Sequence, residues 1–282
     1  MRRLVFQLLT VSAFALAGRP ARGADVSIFG ILKSQQFLQT NASSPFLPAT
    51  NAYVFNTFVF SATNGTVTNA TLTPPNAPLL TLVPQASPPN FLFEKHFDTS
   101  SALDAAYPTG SFFQPANYTV TTYGVTDGTR STVLTFSSAN YPATAQIANF
   151  DAAQVIDTTA PFTFSWILAS GQASDLVQLT VEDSASNTIF ATPFPAFAGA
   201  LTGLSNAATA PANSLPPGTN LIAHLSVGRP AGLNTNSYPG AAGISILGKD
   251  IQFPIITRPA PPAPPPQLAI RTRFPNRDSI PR

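Results

Sequence analysis

Cysteine is absent from this 282-residue chain, which excludes thiol catalysis, disulfide cross-links and cysteinyl zinc sites. Charge is scarce as well, with Asp, Glu, Lys and Arg making up only 9% of the residues. There are two histidines, His96 and His224, and no His-x-His or His-x-x-x-His pair that could hold a metal. The sequence has no Gly-rich phosphate loop and no Gly-x-Ser-x-Gly elbow, so the signatures of nucleotide binding and of a serine hydrolase are missing. Beyond residue 23, no apolar run reaches the roughly 20 residues that a membrane-spanning helix needs.

What is present begins with an address. Arg2 and Arg3 precede an apolar run from Leu4 to Gly18, and Ala21-Arg22-Gly23 puts small residues where a signal peptidase reads. Residues 1–23 are therefore expected to be a signal peptide cleaved between Gly23 and Ala24, giving a secreted, periplasmic or cell-surface protein. Loss of Arg2, Arg3, Arg19 and Arg22 leaves ten cations against twelve acids, a formal charge of −2. That charge is unevenly spread. Residues 24–257 carry five cations and eleven acids, whereas the last twenty-five residues carry five arginines and Asp278. The body lacks the clustered Lys and Arg that displace counterions from a phosphate backbone, so nucleic acid is not an expected partner.

Between the signal and residue 257, short strands alternate with turns. Tyr53 to Phe60 is aromatic and β-branched and ends at Asn64-Gly65, a hairpin signal. Val67 to Thr73, Leu79 to Val83, Phe91 to Phe97, Tyr118 to Val125 and Ser131 to Phe136 follow, with one short helical turn expected at Ser101 to Ala106. A second series comprises Ile147 to Phe150, Phe162 to Trp166, Leu176 to Val181, Thr188 to Phe190, Leu221 to Val227, Gly243 to Leu247 and Ile251 to Ile256. Strands at this spacing, punctuated by Pro and Gly, indicate a sandwich rather than alternating β and α. A proline–glycine corner occurs in each series, at Tyr107-Pro108-Thr109-Gly110 and at Leu215-Pro216-Pro217-Gly218. Proline sets φ and glycine supplies the conformation that closes each turn.

The run Phe162-Thr163-Phe164-Ser165-Trp166, then Leu176 to Val181, then Leu215-Pro216-Pro217-Gly218-Thr219-Asn220-Leu221 resembles a fibronectin type III or similar immunoglobulin-like domain. That family carries a tryptophan on its second strand and a Leu-x-Pro-Gly-Thr-x-Tyr corner before its penultimate strand. This chain departs by placing Leu221 at the corner tyrosine. As a whole it is similar to exported two-domain proteins of environmental Gram-negative bacteria. The resemblance implies an all-β chain of two tandem immunoglobulin-like (fibronectin type III-like) antiparallel β-sandwiches. The expected boundaries are 24–138 for the first domain and 139–257 for the second, which are expected to fold separately. Residues 258–282 form a Pro-rich basic tail, expected to be disordered because Pro259 to Pro266 favours polyproline II and the rest has no partner strand.

No residue pattern selects a catalytic group, a cofactor site or a metal site. Alternation puts His224 opposite Leu221, Ala223 and Leu225, and His96 opposite Phe93 and Phe97, so both are expected on outer faces. Glu182 to Asn187 reads as an Asp/Asn-rich hairpin turn. The candidate ligand-binding residues are the aromatics beside Pro, Gly or Asn in connections: Tyr107, Phe112, Phe113, Tyr141 and Tyr238. Exposed, they could stack sugar rings; packed, they would seal the sandwich ends. The expectation is a non-enzymatic structural or adhesive protein at or outside the cell envelope, with a protein or polysaccharide surface as partner. A carbohydrate-binding protein is the alternative, and a secreted hydrolase comes third.

Overall fold

A computed structural model describes residues 24–85, 90–111, 113–138, 140–195 and 198–259. The expected signal peptide, Phe112 and nearly all of the proline-rich tail lie outside them.

The first series gives β1 (Val26–Leu38), β2 (Tyr53–Ser61), β3 (Val67–Thr73), β4 (Leu80–Thr81), β5 (Val83–Gln85) and β6 (Asn90–Phe97). Helix α1 (Ser100–Ala106), β7 (Ala116–Gly124) and β8 (Gly128–Phe136) complete it. The second series gives β9 (Gln146–Ile147), β10 (Phe162–Ile167), β11 (Leu176–Glu182), β12 (Thr188–Ala191), β13 (Leu201–Thr202), β14 (Ala207–Ala210), β15 (Asn220–Asn234) and β16 (Ala242–Ile256). The described residues are all-β apart from α1 and a 3₁₀ turn at Ala152–Gln154. Turn chemistry works as the residues dictate: Gly65, Gly128 and Gly218 close their turns at φ 80°, 67° and 66°. Helix α1 starts one residue earlier than expected, at Ser100, because the Thr99 hydroxyl caps it by accepting the Ala102 N–H at 3.2 Å.

Three sheets form. Two are small, in the orders β4-β3-β7-β8 and β14-β10-β9. The third runs β12-β11-β15-β16-β1-β2-β6-β5, with β13 paired to β11. Each small sheet covers one half of the large one, and each half has its own core. Phe29, Ile31, Phe55 and Val59 meet Leu72, Tyr118, Leu134 and Phe136 in the first. Trp166, Phe164 and Ile147 meet Val177, Leu179, Leu225 and Phe253 in the second.

The two cores follow the two halves of the sequence, but the large sheet does not stop between them. Strand β15 pairs with β16 over nearly their full lengths. Strand β16 contributes Leu247 to the first core and Ile251, Phe253 and Ile255 to the second. The N-terminal strand β1 then lies against β16 in parallel, in eleven consecutive pairs from Ile28↔Ala242 to Leu38↔Gln252. This departs from the expected purely antiparallel pairing and joins the two halves through one hydrogen-bonded sheet. The reason is topological: the first and last strands both run along the seam, and neither has another partner on that side.

Both ends of this strand pair are fastened. The Asp25 carboxylate accepts the Thr126 and Asp127 N–H groups, each at 2.7 Å, and the Asp25 N–H donates to Asp127 Oδ2 at 2.7 Å. A Cβ at Gly124 would meet the Asp25 carboxylate, so a larger residue there would have to push it out of these bonds. At the other end Thr257 Oγ1 donates to Pro216 O at 2.7 Å and accepts the Thr219 N–H at 2.8 Å.

Candidate functional site

Lys33 is the one cation in β1, and it points into the first core beside Phe29 and Ile31, with a fully buried side chain. Its strand neighbours are Phe55 on β2 and Leu247 on β16. The amine donates to the Tyr107 carbonyl at 2.9 Å and to Thr109 Oγ1 at 2.6 Å, and it contacts Asp104 Oδ1. Three donors thus meet three acceptors, which is what burial of an ammonium requires. All three acceptors come from α1 and the proline–glycine corner behind it. Leu103 anchors that helix in the core, while the Asp104 side chain remains about half exposed.

Aromatic rings line the lysine side of the pair. Phe136 lies 6.0 Å from the Lys33 amine, and Tyr107 stacks on Phe55 with centroids 3.8 Å apart. Tyr118 meets Phe136 edge-on at 5.6 Å. Burial pulls the Lys33 pKa down, against the hydrogen bond and charge of Asp104. Burial raises the Tyr118 and Tyr141 phenols, and the charge of Asp104 raises both further. Tyr118 also anchors the corner, donating its hydroxyl to Pro108 O at 2.7 Å. The side-chain bond missing at Leu221 in the second corner is therefore made in the first. Thr219 and Thr257 serve the second corner instead, both donating to Pro216 O.

The four described loop aromatics do not form one exposed platform. Tyr107 and Tyr238 are buried, each 2% exposed, and Tyr141 packs against the first core. Tyr238 lies at the far end of that core, donating to Asp127 Oδ2 at 2.9 Å. Each phenol joins the nearest core because a ring beside a proline turn buries more area inward than it would stacked outward. Phe113 alone of the described four stands outside, 90% exposed at a tight turn closed by reciprocal Ser111–Gln114 backbone bonds. Phe112 lies outside the described residues.

Two further polar clusters were not legible in the sequence. His224 has the expected outer phase but is covered: its Nδ1 sits 2.9 Å from Asp250 Oδ2, and Ser226 donates to the other oxygen at 2.7 Å. Glu182, on the neighbouring strand, is buried too, and burial raises its pKa. Arg229 grips the buried Asp175 through two bonds at 2.7 and 2.8 Å. Asp183 closes its own hairpin, accepting the Ala185 and Asn187 N–H groups. Among the described residues no group of three or more His, Asp or Glu side chains could hold a metal. An open groove of about 460 Å³ lies between Thr158-Thr159 and Asn213 to Pro217, and none of the loop aromatics lines it.

No protein-family model and no curated protein matches the chain. Among solved structures it is similar to the FN1-FN3 domains of chicken CNTN1, at 11% identity and a TM-score of 0.26, over 84% of this chain and 69% of that one.

Proposed function

We propose that this chain is a non-enzymatic structural or adhesive protein of the cell surface or its surroundings, whose body transmits tension between an attachment and a partner. The observation that supports this reading is the parallel pairing of its first and last described strands. The chain enters at the start of β1 and leaves at the end of β16, at opposite ends of one strand pair. A pull on those ends slides β1 and β16 along each other, so the bonds of eleven pairs are loaded together and not one after another. The entry and exit points are themselves pinned, at Asp25 and Thr257. The partner would be a protein or polysaccharide surface. Sugar stacking draws less support, because Tyr107 and Tyr238 face the core.

Single-molecule pulling tests the proposal. Handles at residues 25 and 257 should require several-fold more force than handles at residues 25 and 61. The second geometry unzips the antiparallel β1–β2 pair from Val26↔Ser61 onward. Equal forces in the two geometries would overturn it.

A further inference from the structure

We propose that Lys33 and Asp104 join in an intramolecular amide, a covalent bolt between β1 and α1. This rests on the tension-bearing reading for its purpose but not for its chemistry. The amine has no freedom to leave: its stem is fully buried, and Tyr107 O and Thr109 Oγ1 fix its position against the Asp104 carboxyl. The rings of Phe55, Tyr107 and Phe136 exclude water from the lysine side. Desolvation of a lysine in apolar surroundings is what converts an ammonium into a nucleophile. The half-exposed face of Asp104 leaves a path to solvent.

The reaction needs no co-reactant. The Lys33 ammonium passes one proton to the Asp104 carboxylate, giving a free amine, the form that burial of the Lys33 side chain favours, beside a neutral acid. The nitrogen lone pair adds to Cγ. The tetrahedral carbon then expels its protonated oxygen, which takes one more proton from the nitrogen and leaves as water. One N–C bond forms, one C–O bond breaks, and nothing is oxidised or reduced. The product ties together positions 71 residues apart in sequence. A chain so tied cannot yield β1 beyond residue 33 without breaking a covalent bond.

Mass spectrometry of the intact full chain tests this without reference to force. The wild type should be lighter by one water, and proteolysis should give one branched peptide joining the segments around residues 33 and 104. Lys33→Met and Asp104→Ala should recover the full mass. Asp104→Asn should release ammonia in place of water and end at the wild-type mass. Where a variant fails to fold, the wild-type mass and branched peptide decide alone. A wild type at full mass overturns the proposal, and so does a lost water that maps to a succinimide at Asp127-Gly128.

Discussion

Arg229 on β15 holds Asp175 in a two-point grip, Nε to Oδ1 at 2.7 Å and Nη2 to Oδ2 at 2.8 Å, with the carboxylate fully buried. The third guanidinium nitrogen reaches Asn140 Oδ1 at 3.3 Å, in the segment that links the two halves. One arginine of the shared sheet thus fixes both the strand β11 region and the crossing between cores. Arg229→Ala would leave a buried carboxylate without its partner. Such a loss costs about 3–5 kcal/mol, read as a lower urea midpoint. A variant as stable as the parent would show that the grip contributes nothing net.

The Tyr118 hydroxyl and Pro108 O form the anchor of the first corner. Tyr118→Phe keeps the ring in the core and leaves that carbonyl without its side-chain donor. The expected loss is about 1–3 kcal/mol, measured by chemical denaturation. The corresponding change at the second corner, Leu221→Tyr, should bring no gain, because Thr219 and Thr257 already donate to Pro216 O.

Stability should fall as pH rises above neutrality. For His224 burial opposes the charge, but the Asp250 charge and hydrogen bond and the Glu182 charge outweigh it, so the folded pKa is raised above 6.5. The native state then holds more protons than the unfolded chain from about pH 6.5 upward, and the linkage sign makes stability decrease across that window. His96, raised chiefly by its hydrogen bond to Glu94, acts in the same direction. Glu182, raised by burial, adds the same sign from about pH 4.5 upward. Thermal midpoints measured from pH 6 to 8 should therefore decline, and His224→Gln should flatten the decline. An unchanged slope in that variant would remove His224 from the account.

The sequence suggests two separately folding domains, but the shared sheet leads us to expect residues 24–138 and 139–257 each to lack cooperative unfolding when expressed alone. The first piece carries β1 with its β16 edge bare, and the second carries β16 with its β1 edge bare. Co-expression should restore one cooperative transition by circular dichroism in urea. Two clean transitions from the separate pieces would instead show that each core sustains its own half.

Much of the fold follows from local rules and was legible without coordinates. Phe162 to Trp166 and Leu176 to Val181 alternate because one face of each meets a core and the other does not, and they form strands there. Trp166 takes the expected inward position, 2% exposed, with its indole N–H donating to Ser205 O. Strand β1 had no such signal. Both of its faces are buried, Phe29 and Ile31 on one side and Ile28 and Leu32 on the other, so it reads as an unpatterned apolar run with a stray lysine. Strand β16 is hidden for a related reason, since Gly248 and Lys249 interrupt what is one continuous strand passing between two cores.

The sequence by itself determined an all-β chain, its turns, its two cores and the inward tryptophan, because alternation and turn chemistry act over a few residues. Only the tertiary structure decided that β1 pairs with β16 from 214 residues away, as Ile28 and Ala242 show. The same holds for the meeting of Lys33 with Asp104, for the burial of His224 on an outer face, and for the inward turn of Tyr107 and Tyr238. Those outcomes depend on which surfaces remain uncovered after the strands pair. That is settled by long-range burial and hydrogen-bond satisfaction, which no local pattern encodes.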